Sequence, residues 1–180
     1  KKQLFWVPFL GLAWWALDYP FLERSSNARR DLEMIRKAAR KFQVVPVSVM
    51  NFVEGTRFTA EKHEKQRSPY RHLLKPKAGG LTFVLTAMGG HFRSILDVAI
   101  VYPGGAPTMW GFLCGEVAEI RVRVREVPIS EDLLGDFAAD KAFRRSFVKW
   151  LNGLWEEKDE EMQKLLEEKG VAPFQSGGGS

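Results

Sequence analysis

The sequence predicts a single α/β domain in which a mixed β-sheet is flanked by helices. Three observations support this fold class: β-branched runs on either side of a glycine-opened apolar segment, a segment that alternates strictly, and a long helical pattern after it. The 180 residues suffice for one hydrophobic core, and 45% hydrophobic with 27% charged residues is close to the globular average. We expect the domain to span residues 1–170, and residues 171–180, which end in Ser-Gly-Gly-Gly-Ser, to be a flexible linker-like tail.

The most apolar stretch is residues 4–22, which contains three of the six tryptophans. It approaches the length of a membrane span, but Pro8, Asp18 and Pro20 interrupt it. Because tryptophan favours the headgroup level of a bilayer, we expect short helices in the membrane interface or along an apolar groove, then a strand near 19–22. A buried core segment and a transmembrane helix are the alternatives. The residues expected in this groove or membrane contact are Trp6, Trp14, Trp15 and Phe21.

Two further elements and a loop are predicted before the middle of the chain. Residues 27–42 have apolar side chains at helical spacing and a basic outer face, which contacts either solvent or anionic lipid. The β-branched run at 44–52 predicts a buried strand. The polar and basic residues 59–77 predict a long surface loop.

The second half of the chain predicts two helices and two strands. An apolar helix is expected at Ala78–Met88 and a second buried strand at Ile95–Tyr102. Residues 119–127 alternate between apolar side chains and arginines, which predicts a half-buried strand near a sheet edge. A long helix is expected from about 137 to 169, with an apolar stripe in its first part and a charged later half that projects into solvent.

The charge balance, 27 Lys and Arg against 22 Asp and Glu, favours anionic partners. Nucleic acid is not the expected partner, because the aromatic residues cluster in an apolar segment and do not alternate with basic residues as a base-stacking surface would require. The single cysteine, Cys114, excludes an intrachain disulfide. No metal site is predicted.

The segment Phe52–Arg57, at the end of the first predicted strand, has the chemistry of an anion site. Ligands of α/β sheets bind beyond the carboxyl ends of strands. Gly55 allows close approach of the backbone, and Arg57 offers a planar fork of donors suited to phosphate. Glu54 is expected to hold Arg57 in place or to bind a hydroxyl. A plain turn at the strand end is the alternative.

The motif F-x-E-G-T-R at residues 52–57 resembles the hallmark block of the PlsC-type glycerolipid acyltransferases, which include the lysophosphatidate acyltransferases. Three other segments are similar to blocks of that family and occur in the family's order: 11–24, 75–81 and 97–103. The resemblance implies a glycerolipid acyltransferase-like domain. Its substrate phosphate-binding residues would be Glu54, Gly55, Thr56, Arg57 and Arg24, with Lys75, Lys77 and Gly79 supporting a phosphate or a developing oxyanion.

The resemblance also implies a reaction. A fatty acyl group would pass from acyl-CoA or acyl carrier protein to a lysophospholipid such as lysophosphatidate, with no bound cofactor, in phospholipid biosynthesis or remodelling. The protein would work at a membrane surface, at the cytoplasmic face of the bacterial inner membrane. A lipid-binding or membrane-surface-binding module without turnover is the alternative function.

The family's first block, His-x4-Asp, is absent from this sequence. In the family the His acts as general base and the Asp orients it. We therefore expect no catalytic residue in this chain, the pair to lie upstream of Lys1, and the chain to be inactive by itself. His91 with Asp97 is the one substitute pair considered. The residues five positions after His63, His72 and His91 are Ser68, Lys77 and Leu96.

Overall fold

A computed structural model describes residues 48–168 of the chain. Several predicted features lie outside these residues: the apolar segment 4–22, the basic helix 27–42, the first part of the predicted strand at 44–47, and the tail. The same holds for five predicted site residues, which are Trp6, Trp14, Trp15, Phe21 and Arg24.

The described residues form a mixed helix and strand unit with the following order. The helices are α1 (Ala60–Gln66), α2 (Ala78–Met88), α3 (Met109–Leu113) and α4 (Lys141–Glu167). The strands are β1 (Ser94–Val101), between α2 and α3, and β2 (Arg121–Pro128), between α3 and α4. Short 3₁₀ helices occupy Gly89–His91 and Glu131–Leu133.

The sheet within residues 48–168 has two antiparallel strands, and other strands of the predicted mixed sheet, near 19–22 and at 44–47, lie outside the described residues. Its register pairs Ser94 with Pro128 at one end and Val101 with Arg121 at the other. Residues 48–52, which belong to the predicted strand at 44–52, form no strand. Met50 and Phe52 are both more than three-quarters exposed, so this segment lacks the packed surface that a buried strand requires.

Helix α4 contributes more buried residues to the hydrophobic core than any other element of residues 48–168. It begins at Asp140, whose carboxylate accepts hydrogen bonds from the backbone N–H groups of Ala142 (2.7 Å) and Phe143 (3.0 Å). The predicted apolar stripe is confirmed: Phe147 and Leu151 are each only 1% exposed and belong to one cluster with residues of α2. The buried members of that cluster on α2 and α4 are Leu81, Leu85, Phe147, Leu151, Leu154 and Trp155.

The charged later half of α4 exposes only one face to solvent and covers the sheet with the other, which corrects part of the sequence-based expectation. Lys158 donates to Asp97 of β1 at 2.5 Å and to the Val98 carbonyl at 2.8 Å. Arg125 of β2 also bonds Asp97, at 3.1 Å, and forms an ion pair with Glu157. The arginine-bearing face of the sheet therefore packs on α4, because its charges find partners there.

The opposite face of the sheet is apolar and exposed. Strand β1 was predicted to be buried, but its side chains at alternate positions are 41–63% exposed, and its buried residues are Ala99 and Val101. Cross-strand pairing joins Val98 to Val124 and Ile100 to Val122. The exposed apolar side chains of the face are Leu96, Val98, Ile100, Val122 and Val124.

Helix α1 lies where a loop was predicted. Thr59 caps it by accepting from the Lys62 N–H at 3.3 Å, and Arg67 ends it with a left-handed φ of 47°. The enclosed sequence AEKHEKQ is rich in good helix formers. A loop is predicted there because most residues of this segment are polar or charged. None of the helices within residues 48–168 is long and apolar enough to cross a membrane.

Replacement of Leu151 by alanine tests the core. We expect Leu151→Ala to lower the free energy of unfolding by about 2–5 kcal/mol, because it leaves a cavity at a fully buried site. Val148→Ala, one turn earlier on an exposed position, should change it by less than about 0.5 kcal/mol. Urea denaturation followed by circular dichroism measures both, and equal losses would mean that α4 is not the centre of the core.

Candidate functional site

The predicted anion site is a tight turn, here called the 52–57 turn, which comprises Phe52–Arg57. The Gly55 N–H donates to the Phe52 carbonyl at 2.8 Å and closes the turn. Gly55 has φ +70°, a conformation that side-chain-bearing residues rarely adopt. The Thr56 and Arg57 side chains that follow are exposed. The turn therefore presents its last residues to the surface.

Lys77 lies against this turn. Its backbone N–H donates to the Val53 carbonyl at 2.9 Å. A Cβ placed on Gly55 would lie 3.6 Å from both Cδ and Nζ of Lys77, so the ammonium group crosses directly over the glycine. The structure thus brings together two residues that are 22 positions apart and that were assigned to different blocks of the sequence. Their roles in ligand binding stay a prediction.

Lys75 and Gly79, which are also predicted to support a phosphate or an oxyanion, are positioned differently. The Lys75 backbone N–H donates to the Gln66 side chain of α1 at 3.2 Å, and its own side chain is exposed. Gly79 lies in the first turn of α2 with no atom near the position of a Cβ. A Cβ placed on its neighbour Gly80 would lie 3.4 Å from the Asn51 amide, whose nitrogen is buried without a hydrogen-bond partner. Asn51 was not predicted as a site residue, and nothing in its sequence context marks it.

Glu54 does not pair with Arg57 in the described structure. Burial raises the pKa of the Glu54 carboxyl, while a hydrogen bond from the Leu74 backbone and the positive charge of Lys158 lower it in part. The role of Glu54, to hold Arg57 in place or to bind a hydroxyl, stays a prediction.

That segment, residues 70–77, is anchored to α4. The buried Asp159 carboxylate accepts from the backbone N–H groups of Arg71 (2.9 Å) and His72 (2.7 Å). The Trp155 indole donates to the Leu74 carbonyl at 3.1 Å. Since the Lys77 N–H at the end of the segment donates to the Val53 carbonyl, the 52–57 turn is connected to the long helix through this segment.

Lys62 of α1 also reaches the turn. Its ammonium donates to the Thr56 hydroxyl at 3.0 Å and to the Arg57 carbonyl at 3.1 Å. Sequence reasoning missed it because residues 59–77 were interpreted as a loop. The signal that was available is a threonine cap followed by a run of helix formers directly after the motif.

Two of the three histidines have structural partners. The His63 Nε2 lies 2.6 Å from the Tyr70 carbonyl, and the His72 Nε2 lies 2.7 Å from the Gln163 side-chain oxygen. His91 lies in the 3₁₀ helix after α2 and has no hydrogen bond to Asp97, which is engaged by Arg125 and Lys158. The structure therefore does not assemble the substitute pair His91 and Asp97.

Neither of two surface clefts in the described residues includes the turn. One cleft is lined by the end of α2, His91 and Leu134, and the other follows the outer face of α4 between Arg144 and Glu156. The motif and its cations lie outside both, on an open surface. The second cleft also gathers basic side chains, those of Arg144, Arg145 and Lys149.

A model of the family described as Acyltransferase matches residues 1–103, which include the whole of the 52–57 turn and Lys77. The chain belongs to the acyltransferase family. It is 30% identical over 184 residues to the 1-acyl-sn-glycerol-3-phosphate acyltransferase gamma of Mus musculus, and this alignment covers 96% of the chain. It is 28% identical to the protein of the same name from Homo sapiens, again over 96% of the chain.

A plant relative is also similar: the 1-acyl-sn-glycerol-3-phosphate acyltransferase 3 of Arabidopsis thaliana is 27% identical over 78% of the acyltransferase chain and 41% of its own length. The chain spans 46% of the mouse and human relatives, which is less than half of their length. No solved structure matches it significantly.

Two glycines of the acyltransferase chain test the backbone of the turn. Gly55→Ala should cost about 1–2 kcal/mol of stability, because alanine must adopt a left-handed conformation although the space for its methyl group is present. Gly79→Ala, inside a helix with open space around it, should be neutral or stabilising by up to about 1 kcal/mol. Thermal unfolding of both variants checks the prediction, and equal effects would contradict it.

The raised pKa of Glu54 predicts a dependence of stability on pH. The folded state holds this proton to higher pH than the unfolded state, so stability is full below the ordinary value of 4.5 and is lost as the pH rises through the raised pKa. The Glu54→Gln variant cannot ionise at this position. Its free energy of unfolding should therefore increase relative to that of the parent as the pH rises through the raised pKa of Glu54. Chemical denaturation at several pH values measures the difference, and Glu160→Gln on the exposed side of α4 controls for the loss of one charge. A Glu54→Gln difference that stays constant with pH would refute the assignment.

Proposed function

We propose that the protein containing this chain transfers a fatty acyl group from a thioester to the free hydroxyl of a lysophospholipid such as lysophosphatidate. The observation that carries this proposal is the contact of Lys77 with Gly55 beside the exposed Arg57. It occurs in a chain of the acyltransferase family whose relatives are named 1-acyl-sn-glycerol-3-phosphate acyltransferases.

The acceptor phosphate would bind at the 52–57 turn. The Arg57 side chain makes no hydrogen bond or ion pair within residues 48–168, and its guanidinium matches the oxygens of a phosphate in a two-pronged contact. The Lys77 ammonium adds a second positive charge, and the Thr56 hydroxyl adds a donor. Close approach is possible because Gly55 has no side chain. In the same proposal Arg24 also binds the phosphate, and Lys75 and Gly79 support the phosphate or a developing oxyanion.

The chemistry is a substitution at the thioester carbonyl. The acceptor hydroxyl oxygen forms a bond to the carbonyl carbon, the carbon–sulfur bond breaks, and the thiol leaves with the proton that the hydroxyl gave up. The donor would be acyl-CoA or acyl carrier protein. We assign the general base to a His-x4-Asp pair outside this sequence, because no histidine here is followed by aspartate five positions later.

A membrane-surface location is part of the proposal, because the acceptor is an amphiphile. The apolar residues Trp6, Trp14, Trp15 and Phe21 would hold acyl chains and contact the bilayer. The relatives reported above come from two mammals and a plant, so the comparison lends no support to the bacterial inner membrane expected from the sequence.

Arg57→Ala tests the acceptor site in the complete gene product, whose length is first established from its intact mass. We expect kcat/KM for lysophosphatidate to fall about ten- to over a hundredfold, because a charge-assisted hydrogen bond contributes roughly 1.5–3 kcal/mol. Arg57→Lys should recover only part of the loss, since it keeps the charge without the fork. Arg93→Ala, an exposed arginine before β1, is the matched control.

The outcome separates the proposed enzyme from the alternative. Transfer of label from an acyl thioester to lysophosphatidate supports the enzyme. Binding to vesicles of anionic lipid without any transfer, in a gene product shown to contain the His-x4-Asp pair, would favour the lipid-binding module. Kinetics of Arg57→Ala equal to those of the parent would overturn the phosphate assignment.

A further inference from the structure

Lys62 lies outside every block of the sequence that resembles the family, yet it is bonded to the 52–57 turn. Its Nζ contacts two consecutive residues, the Thr56 hydroxyl at 3.0 Å and the Arg57 carbonyl at 3.1 Å. An ammonium carries three N–H donors, and the turn occupies two of them. Among the hydrogen bonds of residues 48–168, these are the contacts that join Thr56 and Arg57 to another element.

The helix that carries Lys62 is held in place from its far side. The His63 ring nitrogen contacts the Tyr70 carbonyl at 2.6 Å, and the Ser68 hydroxyl donates to the Leu73 carbonyl at 2.7 Å. Both contacts are to the segment 70–77, which also leads to Lys77. Helix α1 and Lys77 are therefore fixed to one support, and Lys62 extends from it to the end of the turn.

A neighbouring lysine shows that this contact is specific to one position. Lys65 lies three residues further along α1 and has the same charge and length. It is exposed and makes no hydrogen bond or ion pair to a residue within 48–168. The pair Lys62 and Lys65 therefore separates an ordered contact from the general positive charge of the helix.

We propose that Lys62 is a positioning residue that orders Thr56 and Arg57 for the phosphate of the acceptor. This inference rests on the proposed function, since it assumes that the turn binds that phosphate. By fixing the hydroxyl of Thr56 and the carbonyl of Arg57, Lys62 removes conformational freedom that phosphate binding would otherwise have to remove. It acts on the acceptor through Arg57 and Thr56.

The test compares two lipids that differ only in the phosphate. Binding of 1-acylglycerol-3-phosphate and of 1-acylglycerol, both in neutral detergent micelles, is measured by titration calorimetry on the complete gene product. We expect Lys62→Met to weaken binding of the phosphate lipid about tenfold, the size of one charge-assisted hydrogen bond, and to leave binding of 1-acylglycerol unchanged. A merely structural role would weaken both.

Three variants sharpen the result. Lys65→Met removes the same charge from the same helix and should behave as the parent. Lys62→Arg keeps a donor at this position and should restore most of the lost affinity. Combined with Arg57→Ala, Lys62→Met should add little further loss, because its effect passes through Arg57. Fully additive losses, or equal losses for Lys62→Met and Lys65→Met, would overturn the inference.

The two proposals fail in different ways. If the parent binds both lipids equally, the phosphate site itself is wrong and the role of Lys62 is wrong with it. If the parent prefers the phosphate lipid and Lys62→Met keeps that preference in full, the phosphate site stands and the inference about Lys62 alone is overturned. Thermal unfolding of each variant identifies any loss that is due to misfolding.

Discussion

The attachment of residues 70–77 to α4 is the constraint on which the rest of the site depends. A buried carboxylate such as that of Asp159 is costly unless it is hydrogen-bonded, and here two backbone N–H groups satisfy it. Trp155 holds the Leu74 carbonyl of the same segment. Through the Lys77 N–H this segment bonds the Val53 carbonyl, and the Lys77 side chain lies over Gly55. The short 52–57 turn is therefore positioned by α4, whose contacting residues lie about 100 positions later in the sequence.

The same helix also determines which face of the sheet is covered. Asp97 lies between Arg125 and Lys158, and its side chain and that of Lys158 are only 10% and 12% exposed. At such a place two opposite charges stabilise each other, whereas loss of one partner would leave a charge with little access to water. The packing of β1 and β2 on α4 therefore combines these ion pairs with a small apolar cluster of Ala99, Val101 and Leu165.

How far the sequence predicts this molecule depends on the range of the interactions involved. Helix α2 matches its predicted bounds, Ala78–Met88, and β1 begins and ends within one residue of the prediction, because local apolar patterns determine both. The close approach of Lys77 to Gly55 and the bonds of Lys62 arise from contacts between separate elements, which no local pattern encodes. The covered face of β2 was unpredictable for the same reason: its arginines are matched by acidic residues on α4.

The apolar face of the two strands has a practical consequence for anyone who handles this chain in solution. Its five aliphatic side chains, Leu96, Val98, Ile100, Val122 and Val124, contact water directly. Kosmotropic salts such as ammonium sulfate strengthen association between such surfaces, while the exposed ion pairs of Arg123 lose their attraction as ionic strength rises. Added sulfate therefore promotes association of chains through the apolar face and weakens the ion pairs on the other face. Purification is best done with mild detergent in place of salting out.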